Sequence, residues 1–373
     1  MRLLDRYLLR ELLIPLGYCL GGFLVFWISF DLISELDDFQ RDHLVLRDLV
    51  DYYLVKAPEL LVTVLPVALL LAMLYTLTNL ARHHELTAMR AAGVGLWRLC
   101  LPFLAVGAVL GAGLFVLNEI VVPDANAAAD RVRQRHQPPT ATGLGPDWQV
   151  NLFFHNEADQ RLWRIGAFNR VSGDMISVTL DWQLEDGGRR RLTAESAAYT
   201  NAIWVLQDVK ELIYPPNSQL QSFRGETNRL ELAELSETPA LINSEIKFSE
   251  LSNVKAAKRP RLSLREILDY RRLHPKLNPR DRAKLETQFQ GRLAEPWKCL
   301  VVVLIAIPFG APSGRRNVFV GVASSIFIGF AYFILASLAL ALGTGQYLPP
   351  WVAAWLPNAV FTAVAAVLIR RLR

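Results

Sequence analysis

Long runs without a charged residue alternate with polar segments along this chain. Leu12–Phe30, Leu60–Ala81 and Leu99–Asn118 contain no Asp, Glu, Lys or Arg. Each is close to the roughly 20 residues that an α-helix needs to cross the hydrocarbon core of a bilayer. In the second run Leu60, Leu61, Leu65, Leu69, Leu70, Leu71, Leu74, Leu77 and Leu80 alone favour insertion by roughly 3–5 kcal/mol. Pro66 is compatible with a membrane helix there, because neighbouring helices can satisfy the carbonyl it frees. Asn317–Ile369 again carries no Asp, Glu, Lys or Arg and is too long for one span. "GTGQYLPP" at 343–350 divides it into predicted spans near 318–342 and 351–369. Cys299–Pro312 is a shorter apolar stretch, and a span there is predicted to begin near Leu293 and to carry Glu295 and Lys298 close to the outer surface. The pattern predicts an α-helical membrane protein with six transmembrane helices, three on each side of a polar middle.

The middle has a different period. From about residue 148 the chain is rich in β-formers that alternate with polar residues, in "WQVNLFFHN", "RLWRIGAF", "MISVTLDWQL", "RRRLTAESAAYT" and "AIWVLQDVKELIY". Turn signals stand between them, "DGG" at 186–188 and "YTNA" at 199–202. This predicts an inserted all-β domain, an antiparallel sandwich or jelly roll. Such a fold serves equally as inert packing, a docking surface or a lipid-holding cleft. Further on, "SLREILDYRRL" at 263–273 predicts a short helix, with Ser263 and Glu266 in capping-box spacing. The basic run from Lys255 to Arg292 reads as a solvated or headgroup-facing return helix. A sharper reading is contact with an anionic lipid headgroup. Arg292 and Lys298, at the outer mouth of span four, are the candidates, because ionisable groups at membrane depth usually face a cavity. Anchoring at the interface is the competing role. The predicted domains are residues 1–123, a first transmembrane half; 124–285, the β domain with its basic return helix; and 286–373, a second transmembrane half.

Composition and charge sharpen this picture. The chain is 52% hydrophobic and 20% charged, below the quarter that globular domains carry. A net charge of +5 would suit a nucleic-acid binder, but many basic residues flank apolar runs, so no nucleic-acid partner is expected. Arg2, Arg6, Arg10, Arg82, Arg90, Arg98, Arg315, Arg316, Arg370, Arg371 and Arg373 all fall on one side of a six-span topology. By the positive-inside rule both termini are cytoplasmic and the β domain is periplasmic, in the inner membrane of a cell that has two. The opposite side carries an acid-rich loop, Asp31–Glu59, and the uncharged turn at 343–350. The first apolar run lacks a small-x-small cleavage site and reads as a retained membrane helix. Cys19, Cys100 and Cys299 all lie in apolar runs, so neither a disulfide framework nor a zinc spacing is predicted.

The chain lacks G-x-x-x-x-G-K-[ST], H-E-x-x-H and G-x-S-x-G. His83, His84 and Glu85 are adjacent, and adjacent helix residues do not share a face to hold a metal. Neither catalytic residues nor cofactors nor metals are predicted, and the chain reads as something other than an enzyme. If it moves a substrate, the energy comes from a partner. "ARHHELTAMRAAGVG" at 81–95 is the polar stretch between spans two and three, long enough for a short helix with a glycine end.

Several ordered segments resemble the bacterial lipopolysaccharide-export permeases of the LptF/LptG (YjgP/YjgQ) family. They are "DRYLLRE" at 5–11, "LPVALLLAMLYTLTNLARHHELTAMRAAGV" at 65–94 and "LNEIVVPDAN" at 117–126. They continue with "LTAESAAYTNAIWVL" at 192–206, "LETQFQGRLAEPWKCLVVVLIAIPFG" at 285–310 and "LPPWVAAWLPN" at 348–358. The resemblance covers nearly the whole chain and implies a periplasmic jelly-roll domain between two three-helix halves. It implies an ABC-type exporter that extracts lipopolysaccharide from the inner membrane for delivery to the outer membrane. Its implied partners are a second permease subunit, a cytoplasmic ATPase dimer and a periplasmic bridge protein. The turn between spans two and three would then be the coupling helix docked on the ATPase, with Arg82, Glu85, Leu86, Met89, Arg90 and Gly93 as its residues. One departure stands out: some members carry a basic residue near the outer end of span one, where this chain has Asp31, Glu35, Asp37 and Asp38. A non-transporting membrane scaffold that organises envelope-assembly partners is the alternative from another class.

Overall fold

A computed structural model of the chain describes residues 3–133, 135, 144–145, 147–156, 159–184, 187–215, 222–252, 262–275, 277–310 and 318–370. Arg2, Arg315, Arg316, Arg371, Arg373 and the Lys255–Arg261 part of the basic run lie outside the described residues. Two compact units result, Met1–His136 with Pro279–Arg373, and Gln137–Asn278.

The first unit is helical. The first two charge-free runs lie within α1 (Leu3–Ser34) and α3 (Leu46–Arg82), and the third fills most of α5 (Leu96–Val116) and ends just beyond it. A π-helical segment, Leu117–Val121, continues α5 into α6 (Val122–Arg133). The other half holds α9 (Pro279–Ala294), α10 (Trp297–Gly310), α11 (Val318–Thr344) and α12 (Pro350–Arg370). Among the described residues, five helices are long and apolar enough to cross a membrane. The sixth predicted span is shorter: α10 has 14 residues, about 21 Å of helix. It is instead enclosed by protein, with Cys299, Val303 and Ala306 at 0% exposure.

The expected loop Asp31–Glu59 is mostly helix. α1 extends to Ser34, α2 covers Leu36–Arg41 and α3 begins at Leu46. Basic partners make this possible by taking up the acids. Lys56 reaches Asp31 at 2.8 Å, and Arg133 reaches Asp42 at 3.1 Å and Glu35 at 3.2 Å. Burial alone would weaken the charge on Arg133, but Asp42 and Glu35 outweigh it and hold its guanidinium above the ordinary value. Beneath these pairs Phe39, Tyr52, Ala129 and Val132 form a small apolar core. Pro123 therefore does not close the third span. It follows directly on the π-helical segment, and the helix continues through it into α6. The unit boundaries lie at 136/137 and 278/279 rather than at 123/124 and 285/286. Hydropathy reads the end of an apolar run, whereas α6 and α9 are polar helices whose buried sides stay with the helical unit.

The second unit is the β domain. Strands β1 (Trp148–Asn156), β2 (Arg161–Asn169), β3 (Met175–Gln183), β4 (Arg189–Thr200), β5 (Ile203–Tyr214) and β6 (Ser222–Leu232) form one antiparallel sheet in chain order. Consecutive strands pair throughout, where a jelly roll would interleave them. Asn201 and Ala202 both have positive φ and close the β4–β5 hairpin. Trp163, Val178, Leu180, Leu192, Trp204 and Leu206 are at most 1% exposed and form the centre of its core. α7 (Pro239–Ser252) contributes Leu241, Ile242 and Ile246 to that core, and α8 (Leu264–Leu273) follows.

One line across this sheet is irregular. Asn151, Ser177 and Asp208 have φ values of 56°, 54° and 51°, and each interrupts the ladder to its neighbours. Gly166 lies opposite Ser177, where a Cβ would meet the Ser177 Cβ at 2.9 Å. At this line the alternation slips by one residue: Met175 and Val178, Ala194 and Ala197, and Leu206 and Val209 are three apart yet all buried. The pairing register is the same on both sides of the line, so it is a kink shared by neighbouring strands and no strand gains a residue.

Candidate functional site

The turn between α3 and α5 contains its own short helix, α4 (Glu85–Ala91). His83 and His84 end α3, and His84 adopts φ 58° to redirect the chain into α4. At the other end Gly93 has φ +81°. The Gly93 N–H donates to the Arg90 carbonyl at 3.0 Å and the Val94 N–H to the Met89 carbonyl at 3.1 Å. This pair of bonds is the Schellman closure, and it requires the left-handed residue that glycine supplies without strain. Val94 and Met89 both pack on the apolar core beneath.

α4 is therefore a fixed, two-sided element. Leu86 is buried in the same core as Leu77, Leu80 and Leu99, and Met89 packs against that core one turn later. Arg82, Arg90 and Gly93 are exposed. Glu85 is half-buried and accepts a hydrogen bond of 2.6 Å from the Tyr7 hydroxyl of α1. Beside it, Arg98 of α5 pairs with Asp5 of α1 at 2.8 Å.

Arg292 and Lys298 belong to a second polar cluster. Arg292, at the end of α9, is 3% exposed. Its Nη1 donates to the Asn118 carbonyl in the π-helical segment at 2.8 Å and lies 3.9 Å from Glu119. The Asn118 amide donates to Glu295, which also pairs with Lys298 at 3.2 Å. One chain of contacts thus joins the two cations. The break between α9 and α10 at Glu295 and Pro296 leaves the Ala294 carbonyl to accept from Asn358 at 3.1 Å, and the Tyr332 hydroxyl donates to Asn358 at 2.7 Å. Polar groups at such depth need partners of this sort, because an unsatisfied one in hydrocarbon costs several kcal/mol, of the order of ~3 kcal/mol or more. Sequence reading did not single out Tyr7, Asp5, Asn118, Tyr332 or Asn358. A polar side chain at the end of an apolar run was the signal for Asn118, and one inside such a run was the signal for Asn358.

Apolar helices in two groups, an inserted antiparallel β domain and a rigid polar turn between two of the helices define a multi-pass membrane protein. The family model for the lipopolysaccharide export system permease LptF/LptG matches residues 6–371, and the chain belongs to this family. Its general role is that of a lipopolysaccharide export permease. Comparison with curated proteins returned no match.

Proposed function

We propose that this chain is one permease subunit of an ABC-type exporter in the bacterial inner membrane, driven by a separate cytoplasmic ATPase dimer. In this reading it pairs with a second permease, extracts lipopolysaccharide from the outer leaflet and hands it to a periplasmic bridge protein. Both termini and α4 then face the cytoplasm, with the β domain in the periplasm. The observation that carries the reading is α4 itself: its Leu86 and Met89 are seated in the core, while Arg82 and Arg90 are exposed. A helix held this rigidly can receive a push and pass it on to α3 and α5. Replacing Glu85→Arg puts a positive charge against Tyr7 and beside Arg82. The expected result is weaker capture of the ATPase, or hydrolysis no longer matched by lipid transfer in reconstituted vesicles. Transfer at the wild-type rate would sink the proposal and favour a scaffold.

Lys298 is the proposed contact for the lipid phosphates, with Arg292 joining it once its hold on the Asn118 carbonyl is released. They flank the Glu295–Pro296 break, Arg292 at the end of α9 and Lys298 at the start of α10. Neutralising both as Arg292→Gln and Lys298→Gln should reduce photocrosslinking of lipopolysaccharide to α10. Unchanged crosslinking would leave the pair a purely structural role.

A further inference from the structure

The start of α1 touches every element around the α3–α5 turn. Tyr7 donates to Glu85 of α4 at 2.6 Å, Asp5 pairs with Arg98 of α5 at 2.8 Å, and the Glu11 carbonyl accepts from Thr76 of α3 at 2.9 Å. Between these polar ties Leu8 and Leu12 are 0% exposed, in the same core as Leu86. Further along α1, Cys19, Leu20, Phe23 and Leu24 pack on the same core as half-buried residues. The last buried residue of α1 is Leu16, and none from Gly17 to Ser34 is buried. Its far end is tied by Asp31 to Lys56.

We infer that the first turns of α1 are a second arm of the coupling device and that Tyr7 is a positioning residue for Glu85. This rests on the reading of α4 as the ATPase-docking helix. A helix tied at its start to three neighbours shifts with them when α4 is displaced. A shift of α4 therefore reaches α1 directly through the Tyr7–Glu85 bond, as well as through α3 and α5. Glu85 can keep this bond while it meets a cation of the ATPase, because a carboxylate offers about four lone-pair sites on two oxygens. Hydrogen bonds to a charged group are also among the stronger ones, so the tie can bear a load.

The test uses the full chain co-purified with its permease partner and ATPase in lipid nanodiscs, with lipopolysaccharide as the transported probe. Tyr7→Phe keeps the ring and removes the hydroxyl. The expected result is unchanged capture of the ATPase and an unchanged thermal midpoint, with several-fold less lipopolysaccharide released per ATP hydrolysed. The double variant Tyr7→Phe with Glu85→Ala should be no worse than Glu85→Ala alone, since each removes the same bond. Wild-type release per ATP in Tyr7→Phe, additive losses in the double variant, or loss of ATPase capture would each overturn the inference. The docking reading fails on a different variant: there Glu85→Arg would leave both capture and transfer unchanged.

Discussion

Gly111 lies on α5 where it crosses the break between α9 and α10. A Cβ built there would clash with the Pro296 carbonyl oxygen, a backbone atom that no rotamer change can clear. Gly107, one turn earlier, would meet the Val303 side chain at 3.0 Å and the Cys299 carbonyl at 3.3 Å. The two make a small-x-x-x-small face of the kind that lets membrane helices approach closely. Gly111→Ala should therefore lower the thermal midpoint in detergent, by a destabilisation of about 1–3 kcal/mol from overpacking. Gly113→Ala is the control: nothing lies within 4 Å of its added methyl, and it should leave the midpoint unchanged. The spacing of these glycines is plain in the sequence, but all three look alike there. Which of them faces a backbone depends on where α10 breaks, and Pro296 alone does not give that position.

At the scale of elements, local chemistry was legible wherever neighbours in sequence make the contact. The capping box at Ser263 is an example: its hydroxyl accepts from the Glu266 N–H at 3.2 Å, and its own N–H donates to the Glu266 carboxylate at 2.9 Å. Burial pushes the Glu266 carboxyl up, but the Lys247 ammonium and the Ser263 N–H outweigh it and leave it below its ordinary value of 4.5. A carboxylate held below its ordinary value adds stability that is present in full above that value and lost as pH falls through the folded one. Stability of the β domain should accordingly decline as pH drops below 4.5, and Glu266→Gln should flatten that decline. Acid titration followed by tryptophan fluorescence would check it, and an identical profile in the variant would refute the role of Glu266. The period of two likewise located β1 to β5. It did not locate β6, "SFRGETNRLEL", whose exposed residues carry little apolar alternation. It also could not show that the alternation slips once along the Asn151–Ser177–Asp208 line, because a kink shared across strands looks like noise within a single one.

For the whole molecule, the order of apolar runs around a β-patterned middle determined the membrane class, the inserted domain and the place of the polar turn. These follow from the sequence because burial in a bilayer and strand alternation are properties of consecutive residues. The tertiary structure decided the rest. It kept α6 and α9 with the helical unit and turned the Asp31–Glu59 stretch into paired helices. It enclosed a 14-residue helix where a full span was expected, and it assigned Tyr7 to Glu85 and Arg292 to Asn118. The last two pairs lie 78 and 174 positions apart and meet only after the helices have packed. Pair energies of that kind are invisible to composition and period, since nothing local distinguishes a charged residue with a distant partner from one left in solvent.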